Sequence, residues 1–168
     1  MEFLQVKESE FDFIFSEMEK NFILEERRDY APAKELLEND DYKLFHIVKD
    51  GQNVGFISVW SFENFIFIEH FVVYEKFRNC GLGAKALILA KEKWRKLVLE
   101  AELPQTEMSK RRIGFYQRNE FFKNSGEYYQ PSYRKGGDGV YLALMSYPTA
   151  LVDFEKTVKI IHEKVYNR

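Results

Sequence analysis

Gly81 and Gly83 stand one residue apart, eight and ten residues past a strand-like run that ends at Val73, and they open a helix-like run over residues 81–97. Glycine lacks a Cβ, so it lets the main chain turn sharply and lets a ligand approach it closely. The first turn of a helix carries N–H groups without partners and a partial positive charge. A strand that passes into a helix through such a loop makes a seat for an anion, a pyrophosphate above all. A chain built around this feature must combine strands and helices, which excludes all-α and all-β folds.

The flanking sequence supplies both. Residues 1–6 alternate as a first strand. Phe11, Phe15, Met18 and Phe22 recur at spacings of three and four, the period of a helix with one apolar side, and Ser9 is placed as its N-cap. Residues 31–40 read as a short second helix with Pro32 near its first turn. Residues 42–60 contain two strand-like runs around Asp50-Gly51, a dipeptide that favours a tight hairpin. Residues 65–73, FIFIEHFVV, are apolar on both faces, as in a central strand. The helix over 81–97 buries Ala86, Ala90, Trp94 and Leu97. A strand over 98–103, a helix running into a strand over 109–122, and a strand over 140–147 follow. Beyond Pro148, the residues Leu151, Phe154, Val158, Ile161 and Val165 line one side of an amphipathic C-terminal helix. With 168 residues, 16 of them Phe and 10 Tyr, and no repeat or linker, the chain is expected to form one domain with a substantial core.

Charge and cysteine usage narrow the partners. A net charge of −2 lacks the basic excess of a nucleic-acid binder. One cysteine, Cys80, excludes an internal disulfide and a cysteine-rich zinc site, and fits a reducing cytosol. No signal-peptide core opens the chain, and no stretch approaches the roughly 20 apolar residues of a membrane-crossing helix. The expectation is a cytoplasmic protein with no nucleic-acid, membrane or metal partner.

Two pyrophosphate ligands suit the glycine loop. The first is a dinucleotide: residues 81–86 fit G-x-G-x-x-A, and Glu100 lies where a ribose-binding acid would stand. Against it, seven residues separate Val73 from Gly81, several strand-like segments precede the loop, and too little chain follows to repeat the βαβ unit. A P-loop is excluded because no Gly-Lys-Ser/Thr follows. The second ligand is coenzyme A. Arg78-x-x-Gly81-x-Gly83, after a strand and before a helix, resembles motif A of the GNAT superfamily of N-acetyltransferases. Residues 111–122, RRIGFYQRNEFF, resemble its motif B: Phe115, Tyr116 and Phe121 match, while Glu120 stands where glycine is usual. The asparagine often found just before that helix is also missing.

The resemblance covers about residues 1–147 and leaves 148–168 as a helical extension. It implies an α+β fold with a central, mostly antiparallel sheet of six to seven strands flanked by helices. It implies acetyl-CoA as co-substrate, with main-chain amides from Phe77 to Ala84 on the pyrophosphate, and so Arg78, Asn79, Cys80, Gly81, Leu82, Gly83 and Ala84 as coenzyme-binding positions. Cys80 falls at a variable position of the motif. Phe71, Val72 and Val73 are expected to meet the pantetheine arm as an added strand. The implied reaction is acetyl transfer to a primary amine by direct attack in a ternary complex. An alkyl amine, with a pKa near ~10, must first lose a proton, and a leaving thiolate gains from a proton donor.

Tyr116 is the candidate general acid, because it matches the superfamily tyrosine near the coenzyme sulfur. Glu69 is the candidate base: an apolar strand should raise its pKa, and strand alternation puts it on the face of Val73, with His70 opposite. Glu100 is the second candidate base, with Glu102 or a water also open. The acceptor, a small molecule or a peptide N-terminus, is expected between the first two helices and residues 123–139. There the tyrosines offer ring faces to a cation, and Glu25, Glu26 and Asp29 offer charge. Two other readings stay open: an acyl-CoA-binding module without turnover, and a C-terminal helix that pairs two copies of the chain.

Overall fold

Asp50 and Gly51 both take left-handed backbone angles, φ 51° and 75°, and close a two-residue hairpin between strands β2 (Tyr42–Lys49) and β3 (Gln52–Ser61). Paired left-handed residues match the twist of the strands they join, which is why the dipeptide selects this turn. This computed structural model describes residues 1–167. The hairpin is the start of a larger sheet that also contains β1 (Glu2–Gln5), β4 (Ile66–Val73), β5 (Leu97–Glu102), β6 (Phe122–Lys123), β7 (Tyr128–Gln130) and β8 (Val140–Tyr147). The strand order is β1-β2-β3-β4-β5-β8-β6, with β7 also on β8. All pairs are antiparallel except β4 with β5. The sheet has eight strands, above the six to seven expected, because the chain after the motif B helix forms two short strands against β8.

Among the described residues, five α-helices cover the two faces. α1 (Phe11–Asn21), α2 (Tyr30–Glu35) and α5 (Phe154–Val165) share one apolar core with β2, β3 and β8, centred on Phe11, Ile14, Phe56, Phe67 and Leu144. α3 (Leu82–Trp94) and α4 (Glu107–Arg118) share the other, with Ile57, Ile68, Ala86, Leu87 and Leu99. Ile161 and Val165 of α5 are fully buried. Each such side chain is worth about 1.5–3 kcal/mol of transfer free energy. The apolar side of α5 therefore closes over the sheet of its own chain.

Local departures from expectation have simple causes. Ser9 does not cap α1. A single 3-10 turn (Glu8–Glu10) precedes the helix, and the Glu10 carboxylate accepts from the Lys7 N–H at 2.8 Å. Leu97 belongs to β5 rather than to α3, which ends at Arg95 with φ 63°. Glu120, at the position where motif B carries glycine, takes the left-handed conformation itself, φ 68°, while Asn119 does not (φ −97°). That conformation costs an L-residue about 1–2 kcal/mol. An ion pair between Lys91 and Glu120 holds the turn at 2.5 Å. In place of the usual asparagine before α4, Thr106 caps the helix and accepts from the Ser109 N–H at 3.0 Å.

Candidate active site

The loop between β4 and α3 contains two left-handed residues, Asn79 (φ 62°) and Gly81 (φ 71°). Gly81 is the N-cap of α3. Gly83 serves a different need, since a Cβ there would stand 3.2 Å from the Phe115 ring of α4 and 3.8 Å from Val73. The glycines thus allow the turn in one case and the close packing of α3 on α4 in the other. Phe77 and Arg78 do not offer free amides, contrary to the sequence expectation: they donate to Tyr74 and Glu75 carbonyls at 2.8 and 3.1 Å. Among the described residues, the N–H groups of Asn79 to Ala84 have no protein acceptor. A cavity of about 700 Å³ opens against them, bounded by Phe71, Val73, Arg111, Phe115 and Tyr116. Unpaired amides at a helix start, facing a cavity, suit a diphosphate. The chain's own residues therefore fit coenzyme A at this place. Cys80 is exposed, with its thiol directed to the Arg78 carbonyl at 3.4 Å.

Strands β4 and β5 pair only from Ile66 to Ile68 and from Leu97 to Leu99. Beyond that the strands part, and Glu69 and Glu100 are the first residues past the last pair. The Tyr74 N–H donates to the Val54 carbonyl of β3. By the alternation of an antiparallel ladder, Val72 also faces β3, while Phe71 and Val73 turn their peptide groups to the opened side. Phe71 and Val73 thus retain an edge to offer an extended ligand, and Val72 does not. The Val73 carbonyl already accepts from Arg78 Nε at 3.0 Å, and the other end of that guanidinium bonds Asn21 of α1. A second cavity of about 490 Å³ fills the fork, lined by Phe22, Glu69, Glu100 and Arg112. Both cavities reach Tyr116.

Tyr116 is 8% exposed and packs between Phe115 and Phe121 at ring distances of 5.4 and 5.7 Å. Its hydroxyl has no hydrogen-bond partner among the described residues. Burial pushes the phenol up to about 12, so it is protonated at neutral pH and able to donate.

Glu69 differs from the sequence expectation in two ways. A β-bulge leaves it without a partner in β3, because His70 faces Ser58 while Ile68 faces Val59. The bulge breaks the alternation. Glu69 consequently turns into the first core, away from the face of Val73 and on the same side as His70. Its side chain has no exposed surface and pairs with Arg28, itself 11% exposed. Trp60 Nε1–H and Tyr133 O–H donate to it at 3.0 Å each. Burial alone would raise this carboxyl, but the Arg28 charge, the neighbouring His70 and the hydrogen bonds from Arg28 and Trp60 more than offset it and hold it below the usual range. The expected upward shift is therefore reversed. His70 is a hydrogen-bonded core residue, between Ser58 Oγ at 3.1 Å and the Glu26 carbonyl at 3.3 Å, and burial lowers its pKa.

Glu100 has the environment foreseen for Glu69. Burial pushes it up to about 7, against the opposing effect of hydrogen bonds from Tyr128 and Tyr166. Tyr166 Oη lies 2.9 and 2.8 Å from its two oxygens. Glu102 instead pairs with Arg112 at 2.9 Å near the surface.

The acceptor side is more closed than the sequence suggests. Tyr128 and Tyr133 are occupied by Glu100 and Glu69. Arg28 stacks on the Tyr133 ring at 4.5 Å, and Arg134 pairs with Asp29 at 2.5 Å. Glu26 is half-buried and raised by that burial and by Glu102. Sequence reasoning missed Arg28 and Tyr166, and took Tyr133 only as one of the tyrosines on the acceptor side. No periodicity marks Arg28 or Tyr133, and Tyr166 lies in the extension beyond the motifs.

An α+β sheet that forks between β4 and β5, with a glycine-opened helix at the fork, suits a diphosphate-bearing coenzyme whose extended arm lies along the opened strand. The sequence profile of the acetyltransferase (GNAT) family matches residues 7–121. A structure assigned to that family from Bacteroides thetaiotaomicron is 31% identical, covers 100% of this chain and 99% of its own, and superposes with a TM-score of 0.95. The chain belongs to the GNAT acetyltransferase family, whose members use acetyl-CoA. A ribosomal-protein-alanine N-acetyltransferase from Brucella melitensis shares the fold at 19% identity, with 89% of this chain and 100% of that one covered and a TM-score of 0.61. So does an aminoglycoside 6'-N-acetyltransferase complexed with coenzyme A, at 14% identity, 90% and 100% coverage and a TM-score of 0.57. No curated protein sequence matches the chain. Among the described residues no helix is long and apolar enough to cross a membrane.

Proposed function

We propose that the chain transfers the acetyl group of acetyl-CoA to a primary amine by direct attack in a ternary complex. The observation that carries this reading is the meeting of the two cavities at Tyr116, one against the free amides of Asn79 to Ala84 and the other holding Glu100. In this reading the 79–84 amides hold the coenzyme diphosphate, and Phe71 and Val73 align its pantetheine arm. Glu100, directly or through a water, takes the proton from the ammonium form of the acceptor. As the amine nitrogen bonds the acetyl carbon and the C–S bond breaks, Tyr116 gives a proton to the departing sulfur and regains one from the new amide nitrogen.

Glu100 is preferred to Glu69 as base because a base working near neutrality needs a pKa close to 7. Glu100 is raised to about that value, whereas Glu69 is neutralised by Arg28. The acceptor is proposed to enter from the side of α1 and α2, where Glu26 and Asn21 lie beside the fork.

A thiol-release assay over a panel of amines tests this, with Tyr116→Phe beside wild type. The expected result is turnover with at least one amine, and a loss of about 10²–10⁴ in kcat on removing the acid, with coenzyme affinity retained. Coenzyme binding with no turnover on any amine would favour the non-catalytic acyl-CoA module instead.

A further inference from the structure

Residues 148–167 lie beyond the motif-bearing core, yet the residue that follows the last turn of α5 reaches the site. α5 is set by Asp153, whose side chain accepts from the Lys156 N–H at 3.0 Å. Ile161 and Val165 bury its apolar side, and Arg28 Nη2 donates to the Val165 carbonyl at 2.6 Å. The same guanidinium pairs with Glu69. The end of the helix is thus tied to the fork between β4 and β5. The next residue, Tyr166, is 4% exposed and brings its hydroxyl within 2.9 Å of both Glu100 oxygens.

Resting on the acetyl-transfer reading above, we propose that Tyr166 is a positioning residue: delivered by the C-terminal helix, its hydroxyl orients the Glu100 carboxylate toward the acceptor and keeps it ionised at working pH. A buried carboxylate without donors stays protonated and cannot act as base. Two donors of different origin meet here, Tyr128 from β7 and Tyr166 from the end of α5. Tyr133 lies beside Tyr166, with hydroxyls 3.4 Å apart, and the His162 ring packs near both Tyr128 and Tyr166. Across the fork are Glu69 and Arg28, whose charges oppose each other. Arg78, Arg112, Tyr116 and Lys20 line the same cavity, and Glu102 follows on the same strand. Among these groups, Tyr128 and Tyr166 are the two that hydrogen-bond Glu100.

The test is a carboxyl titration by carbon-13 NMR of glutamate-labelled protein, with Tyr166→Phe and Glu100→Gln. Wild type should show a glutamate titrating at about 7 that disappears in Glu100→Gln. Removing one donor to the charged form should move that midpoint up by about one unit in Tyr166→Phe. The acid limb of kcat/KM should move with it, so that activity falls about fivefold at pH 7 and recovers at high pH. A residue that only fills the core would lower thermal stability and leave the midpoint in place, and that result overturns the proposal. If Tyr166→Phe does not fold, the labelled Tyr166 Cζ resonance of wild type decides: it should titrate with the Glu100 midpoint, and a flat response refutes the link. These NMR readouts need no acceptor, so they remain decisive even if the acetyl-transfer reading fails in the amine assay.

Discussion

Glu100→Gln is expected to lower kcat/KM by about 10²–10⁴ and, at the same time, to make the protein more stable at pH 8. The two effects have one origin. The folded protein holds the Glu100 carboxyl near 7, above its value of 4.5 in an unfolded chain. Between those values the unfolded state has released the proton while the folded state keeps it, so stability falls as pH rises and levels off above about 7. The charged carboxylate then costs about 3 kcal/mol. Glutamine carries no charge and still accepts from Tyr128 and Tyr166. Urea unfolding should show the variant gaining that amount at pH 8 and little or nothing below pH 4.5. Glu69→Gln should produce neither the rate loss nor the gain. A Glu100→Gln variant that turns over at the wild-type rate would remove Glu100 from the reaction.

Arg28→Met should destabilise the protein by about 3–5 kcal/mol at pH 8, because it strands a carboxylate with no exposed surface. The hydrogen bond to the Val165 carbonyl is lost with it. In wild type the Glu69 pKa lies below 4.5, so the stabilisation from this pair is present above that value and disappears as pH falls through the folded-state pKa. In the variant, without the Arg28 charge, burial acts on Glu69 against the neighbouring His70 and the hydrogen bond from Trp60. The carboxyl then takes up a proton in mild acid, and the deficit should shrink as pH falls from 8 toward 5. Adding Glu69→Gln should recover most of the loss, since the partner left uncompensated is then neutral. Denaturant unfolding of both single variants and the double variant measures the coupling. A loss below about 1 kcal/mol for Arg28→Met would mean that the pair is solvated.

What could be read from the sequence divides by distance along the chain. The hairpin at Asp50-Gly51 and the loop at Gly81 and Gly83 are local: their residues dictate their own backbone angles. The motif B turn was legible only in part, because Glu120 takes on a conformation that its type disfavours and Lys91, from another helix, helps hold it there. The environment of Glu69 was not legible. Its partner Arg28 lies 41 residues away, and a bulge opposite Ser58 and Val59 reverses the face that simple alternation assigns. Those two facts remove Glu69 as the leading base candidate, and the burial that raises Glu100 to about 7 puts Glu100 in its place. Tyr166 escaped notice because an amphipathic helix beyond the common motifs advertises its apolar side, and the residue that enters the site is the one just after that pattern ends.

The central claim is that the amides of Asn79 to Ala84 hold the diphosphate of acetyl-CoA and that its thioester reaches the fork between β4 and β5. A crystal structure of the protein with coenzyme A tests it most directly. The account predicts the diphosphate against those amides, the pantetheine arm along Phe71 and Val73, and the sulfur beside Tyr116. Coenzyme bound elsewhere, or a sulfur remote from both Tyr116 and Glu100, would contradict it.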